Sequence, residues 1–138
     1  MRKKKTYSKR VKALKRQCDD LWAKIVKVRA GGLCEICEQE GSDSHHHEGR
    51  GLNVRWDLDN GIFLCKSHHT FGRIAAHCTA HSGQVEFHKL LIEKYGSEFL
   101  DGLACKSRQT KKWNLSELEK LKGHLREEMR KLEYGHLI

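Results

Sequence analysis

Apolar residues recur at helical spacing near the start of the chain. Val11, Leu14, Cys18, Leu21, Trp22 and Ile25 line one face of a helix predicted over 11–29, and the opposite face is rich in Lys and Arg. Gly31 and Gly32 should stop it, since glycine readily takes the left-handed conformation that closes a helix. Residues 1–10 read as a frayed basic arm. The run Gly61-Ile62-Phe63-Leu64-Cys65 is apolar and of strand length. Before it, Asp57, Asp59 and Asn60 are turn formers in a stretch, 53–60, that reads as an irregular loop. A helix is predicted over 84–95 with Gly96 as its stop, then a short one near 98–105 with Ser97 as its cap. The last helix places Leu118, Leu121, Leu125, Met129 and Leu132 on one face. Asn114 or Ser116 can cap it, each with a glutamate three residues on, Glu117 or Glu119. Glu127 and Lys131 are spaced for an i,i+4 ion pair. There is no internal repeat and no low-complexity segment.

The 138 residues suit one domain: a basic arm and helix over 1–32, a Cys/His-rich centre over 33–82, and a helical extension over 83–138. With 38% hydrophobic and 33% charged residues the core must be modest, and short chains with modest cores are often completed by a disulfide or a metal. Lys and Arg number 27 against 18 acidic residues, a net +9 that points to a polyanionic partner, nucleic acid first, although solubility alone gives the same excess. No apolar run has the length of a membrane span, and the basic start Met1-Arg2-Lys3-Lys4-Lys5 is not followed by the apolar segment of a secretory signal. A cytoplasmic location is therefore expected. There the six cysteines serve as ligands or buried thiols rather than as disulfides.

Cys34-Glu35-Ile36-Cys37 is a C-x2-C knuckle, and Cys65-Lys66-Ser67-His68 is a second pair at the same spacing. Two intervening residues let a tight turn aim both side chains at one tetrahedral ion. Cys34, Cys37, Cys65 and His68 are accordingly expected to hold a structural Zn2+, with Cys78 or His77 as rivals to His68. Cys18 and Cys105 sit at apolar helix positions and read as core.

Inside this loop lies Ser44-His45-His46-His47-Glu48-Gly49-Arg50, then Asn53-Val54-Arg55-Trp56-Asp57-Leu58-Asp59-Asn60-Gly61, and finally His69. The knuckle, the His-His pair, an Asn before an apolar strand and a His at the head of the next helix resemble the HNH endonuclease family over residues 34–69. The interval of eight residues between Asn60 and His69 matches as well. More loosely, the whole chain is similar to short phage HNH proteins grouped with the NinG/Rap-type recombination proteins.

The resemblance implies an α+β fold: a zinc-stapled treble-clef ββα-metal core with flanking α-helices. It implies a metal-dependent endonuclease that hydrolyses DNA phosphodiester bonds and leaves a 5′-phosphate and a 3′-hydroxyl. His46 would be the general base, a role suited to neutral imidazole near pH 7. His45 and His69 would hold a catalytic divalent cation (Mg2+, Mn2+, Zn2+ or Ni2+), two imidazoles favouring the last three. Asn60 would brace the loop through hydrogen bonds, and Arg50 or Arg55 would grip a phosphate of the DNA. The three consecutive histidines leave the frame open between 45/46 and 46/47. The first is preferred because Gly49 and Arg50 then fall where relatives often place a Gly-Arg. Strand alternation sets His45 and His47 on one face and His46 on the other. His77 and His81, four apart, could share a helix face as ligands but read as solvent- or DNA-facing, and His88, His124 and His136 as incidental. The basic arm, the first helix and the linker at 106–112 are expected to touch phosphates, whereas the last helix is expected to be solvated, packed on the core, or paired in a homodimer. A non-catalytic zinc module that binds nucleic acid is the alternative function.

Overall fold

The computed structural model describes the backbone of residues 2–135 and the side chains of residues 6–134. His136 lies outside the described residues. The chain is α+β, with α1 (Arg2–Arg29), β1 (Asp43–His46), β2 (Gly61–Leu64), α2 (His81–Tyr95), α3 (Ser97–Ser107) and α4 (Leu115–Gly135). A 3-10 turn (Leu58–Asn60) leads into β2, and a π turn (Ser67–Phe71) leaves it.

α1 starts at Arg2, so the basic arm continues the helix instead of fraying. It ends where Gly31 and Gly32 take φ of 66° and 75° and the Gly32 amide donates to the Lys27 carbonyl at 3.0 Å. Its apolar stripe of Cys18, Trp22, Ile25 and Val26 packs on Leu118, Leu125 and Met129 of α4, with Trp56 and Phe63 completing the cluster. The last helix is therefore a core element. Asn114 is its cap: the Glu117 amide donates to Asn114 Oδ1 at 2.8 Å, and the Asn114 amide donates to Glu117 Oε1 at 3.3 Å. The expected Glu127–Lys131 pair does not form. Arg130 takes Glu127 and Lys131 takes Glu128, each three residues away.

β1 and β2 form a two-stranded antiparallel sheet, with Ser44 opposite Phe63, His45 opposite Ile62 and His46 opposite Gly61. Alternation divides β2 between two cores. Phe63 joins the α1–α4 cluster, while Ile62 and Leu64 join Cys34, Phe87, Leu91 and Leu100 beneath α2 and α3. α1 lies so close to the first side that a Cβ on Gly61 would meet Val26 Cγ2 at 2.3 Å and Trp22 Cζ2 at 2.9 Å.

Three local expectations change. α2 begins at His81, three residues earlier than its apolar period suggests. Ser97 is the first residue of α3 and makes no capping hydrogen bond; Gly96, at φ 88°, takes the cap position. Cys105 is exposed. α3 buries Leu100 and Leu103, and a residue two positions past Leu103 points about 200° around the helix from it. Among the described residues no helix is long and apolar enough to cross a membrane.

Candidate metal centres

The first centre is built from two tight turns. In the knuckle, the Cys34 amide donates to the Gln39 carbonyl at 2.7 Å and the Glu38 amide to the Cys34 carbonyl at 2.9 Å, with Glu38 at a φ of 62°. Glu35 docks this turn on β2: its amide donates to the Phe63 carbonyl at 2.9 Å, and its carboxylate accepts from the Phe63 amide at 2.6 Å. Tyr95 donates to the other carboxylate oxygen, which ties α2 to the knuckle. Burial and this bond both raise the Tyr95 hydroxyl above its ordinary range.

Cys34, Cys37, Cys65 and His68 thereby converge, their ligand atoms all within 4.8 Å of one another. Cys37 and Cys65 Sγ are 3.8 Å apart, and His68 Nδ1 is 3.4 Å from Cys65 Sγ and 3.8 Å from Cys34 Sγ. A tetrahedron with Zn–S of about 2.3 Å and Zn–N of about 2.0 Å has edges of roughly 3.5–3.8 Å, so the residues fit a structural zinc. Burial raises the Cys34 thiol, but backbone amides at Cys37, Cys65 and Ile36 outweigh it and favour the thiolate a metal needs. Cys78 is not a ligand of this group; its thiol donates to the Ala80 carbonyl at 3.2 Å.

The second centre is a triad of histidines. Ligand nitrogens of His45, His69 and His77 also lie within 4.8 Å of one another. The rings pack edge to face, with centroids 5.0 Å apart for His45–His69, 4.9 Å for His45–His77 and 5.1 Å for His69–His77. The sequence suggests His69 at the head of a helix and His77 outside the site. In the structure His69 sits in the π turn, and the chain then folds back on itself. The Ala76 amide donates to the His68 carbonyl and the His77 amide to the His69 carbonyl, both at 2.9 Å. These two bonds bring His77 beside His69. His81 starts α2 and shares no helix face with His77.

Asp43 completes the triad's support. It lies two residues before His45 on β1, hence on the same face, and its Oδ2 is 2.8 Å from His69 Nδ1. That bond leaves Nε2 of His69 free to ligate. Burial raises the Asp43 carboxyl, but hydrogen bonds from Lys66 and His69 outweigh it and keep it ionised. His45 is 6% exposed, and burial first, then His69 and His77, push its pKa down to about 3. It is therefore a neutral imidazole, the form that binds metal.

His46 does not join this triad. Alternation turns it to the other side of β1, where it stacks on Trp22 with ring centroids 3.8 Å apart and planes 7° from parallel. The expected convergence of His45, His46 and His69 is met by His45 and His69, with His77 in the third place. His46 Nε2 donates to the Arg55 carbonyl at 2.9 Å, which leaves Nδ1 as its acceptor. Burial lowers its pKa, offset in part by the bond to Arg55. His47 Nε2, also buried, has no hydrogen-bond partner among the described residues, and Glu48 Oε1 lies 3.6 Å from it.

Asn60 is fully buried and braces the loop between the strands. Its Oδ1 accepts from the Glu48 amide at 2.7 Å, and Nδ2 donates to the Gly49 and Val54 carbonyls, each at 3.1 Å. Arg50 and Arg55, expected to face phosphate, both bind Asp19 of α1. Arg55 does so through two bonds of 2.9 and 2.6 Å, Arg50 through one of 3.1 Å, and Trp56 Nε1 adds a fourth at 2.9 Å. No local sequence signal marks Asp19, because its partners lie 31 or more residues away.

No protein-family model, curated protein or solved structure matches the chain. The likeness to HNH nucleases therefore rests on the residues themselves.

Proposed function

We propose that the protein is a metal-dependent endonuclease of the HNH kind, acting on DNA phosphodiester bonds from a zinc-stapled treble-clef core. The observation that carries this reading is the triad of His45, His69 and His77 beside a separate Cys3His group. Four Cys/His ligands close a structural site, whereas three imidazoles leave the open position that a catalytic metal uses. Three imidazoles with a carboxylate behind one of them suit Zn2+, Ni2+ or Mn2+ better than Mg2+. A divalent ion there supplies Lewis acidity, neutralising charge on a phosphoryl oxygen and acidifying water. His45, His69 and His77 would hold that position, Asp43 fixes the tautomer of His69, and Asn60 braces the 48–54 loop that joins the two strands.

His46 is the base by the resemblance alone, and Nδ1 is the atom that would take the proton. Its place on the α1 side of β1 favours a second reading, a zinc module that binds nucleic acid without cutting it. Plasmid nicking with each divalent ion in turn separates the two. The nuclease reading expects nicking by the wild type and none by a His69→Ala/His77→Ala variant that still carries its structural zinc. A wild type that holds both metals and nicks under no condition is the non-catalytic module. A His46→Ala variant that binds but does not nick assigns the base; unchanged nicking removes His46 from that role. The NinG/Rap-type likeness favours recombination intermediates as the substrate, so branched DNA should be cut in preference to linear duplex.

A further inference from the structure

A groove of about 640 Å³ opens beside the histidine triad. One bank is α1, with Lys24 and Lys27; the other is the start of the π turn, with Lys66, His69 and Thr70. Ser42, Asp43, Ser44 and Phe63 form much of the floor. We propose that a DNA strand lies along this groove, its phosphates on Lys24, Lys27 and Lys66, so that the scissile bond is delivered to His69. The proposal deepens the nuclease reading and rests on it.

Three observations support this path. His69 belongs to both the groove and the triad, so the two share a wall and a chain lying in the groove reaches the edge of the triad. The groove is charged and hydroxyl-lined: Lys66 shares its charge with Asp43, and Lys24 and Lys27 leave a net positive charge that suits a polyanionic backbone rather than an apolar peptide. Lys24 and Lys27 are exposed, sit three residues apart on one side of α1, and make no ion pair among the described residues. The arginines that the sequence suggested for phosphate are instead bound to Asp19.

The groove is also preformed. Trp22, Ile25 and Val26 hold α1 in the core, which turns Lys24 and Lys27 outward. Ser44 Oγ donates to the Ala23 carbonyl at 2.7 Å, fixing α1 to β1 along the floor. On the far bank Asp43 holds Lys66 Nζ at 2.9 and 3.1 Å while also accepting from His69. A phosphate arriving there meets an ammonium group already positioned beside the ligand histidine.

The test is the salt dependence of binding to a fluorescent DNA duplex, with Lys24→Ala/Lys27→Ala compared against Lys89→Ala/Lys131→Ala. The second variant removes the same charge from lysines paired with their own glutamates, Glu86 and Glu128. Lys66 is left intact because it also supports Asp43. Removing one lysine–phosphate interaction should make the slope of log K against log salt shallower by about 0.9. The groove variant should therefore have a slope shallower by roughly 1.8 and nick more slowly, with its metal content unchanged, while the control keeps the wild-type slope. An equal change in both variants would reduce the effect to net charge and overturn the groove. A groove variant with wild-type slope, in a protein that nicks, overturns the path but leaves the nuclease. A wild type that neither binds nor nicks DNA overturns both.

Discussion

His69 Nδ1 and Asp43 Oδ2 are 2.8 Å apart, and that bond orients the His69 ring within the triad. It commits Nδ1 to the carboxylate and leaves Nε2 as the one nitrogen of His69 that can meet a metal. Lys66, on the same carboxylate, keeps Asp43 ionised and so keeps the bond strong. Removing the carboxylate frees the ring to turn and lowers its basicity. Asp43→Ala should weaken metal binding at the triad about 10- to 100-fold while leaving the zinc of the Cys3His group in place. Titration with cobalt, read by its visible absorption, measures the first, and metal analysis of the purified variant measures the second.

The Cys3His group should carry much of the fold. It sits under α2 and α3, and the cluster it anchors has few fully buried apolar side chains. Structural zinc in small domains contributes folding free energy on the order of 10 kcal/mol. A strong chelator should therefore lower the melting temperature sharply, and added Zn2+ but not Mg2+ should restore it. Cys65→Ser should behave like the chelated protein, whereas Cys105→Ser, at an exposed position, should melt like the wild type.

Much of this is legible in the sequence, and the boundary is physical. α1 and α4 follow from apolar period, because each presents one continuous stripe to the other. The four Cys3His residues follow from spacing, because a two-residue turn is a local device. Asp43 is available by the same logic, standing on the His45 face of a strand. His77 is not: its place depends on a fold-back set by two amide bonds to 68 and 69, which leave no periodic trace. Nor is the capture of Arg50 and Arg55 by Asp19 available, since a salt bridge across 31 or 36 residues is a tertiary event. Strand alternation, by contrast, is enough to separate His46 from His45.

Acid should destabilise the protein through His45. Its pKa falls to about 3 when folded, chiefly because burial penalises the charged ring, against an ordinary value of 6.5. A base with a depressed folded pKa leaves the unfolded chain with more bound protons inside that window, so stability is fully present above pH 6.5 and lost as the pH falls toward 3. Bound metal steepens the same trend, since protons compete for the imidazoles. Urea midpoints of the chelated protein should drop steadily between about pH 7 and about pH 4.5, and a His45→Asn variant should show a flatter profile. An unchanged slope in that variant would place the acid sensitivity elsewhere.

Asn60→Ala isolates the loop brace from the metals. The side chain is fully buried and makes three hydrogen bonds, to the Glu48 amide and to the Gly49 and Val54 carbonyls. Truncation leaves the half-buried Glu48 amide and the exposed Gly49 carbonyl without this partner and takes one of two bonds from the buried Val54 carbonyl, which still accepts from the Asp57 amide, a cost of roughly 2 kcal/mol. Asn60→Asp keeps the acceptor for Glu48 but places a negative charge against two carbonyls, so it should be at least as damaging. Since these bonds hold the 48–54 loop against the end of β1, both variants should also loosen His46 and His47 while the Cys3His group still binds zinc. Denaturant unfolding gives the energy, and the imidazole proton resonances report the loop. A variant as stable as the wild type would mean that water replaces Asn60 without loss, and the brace would then be dispensable.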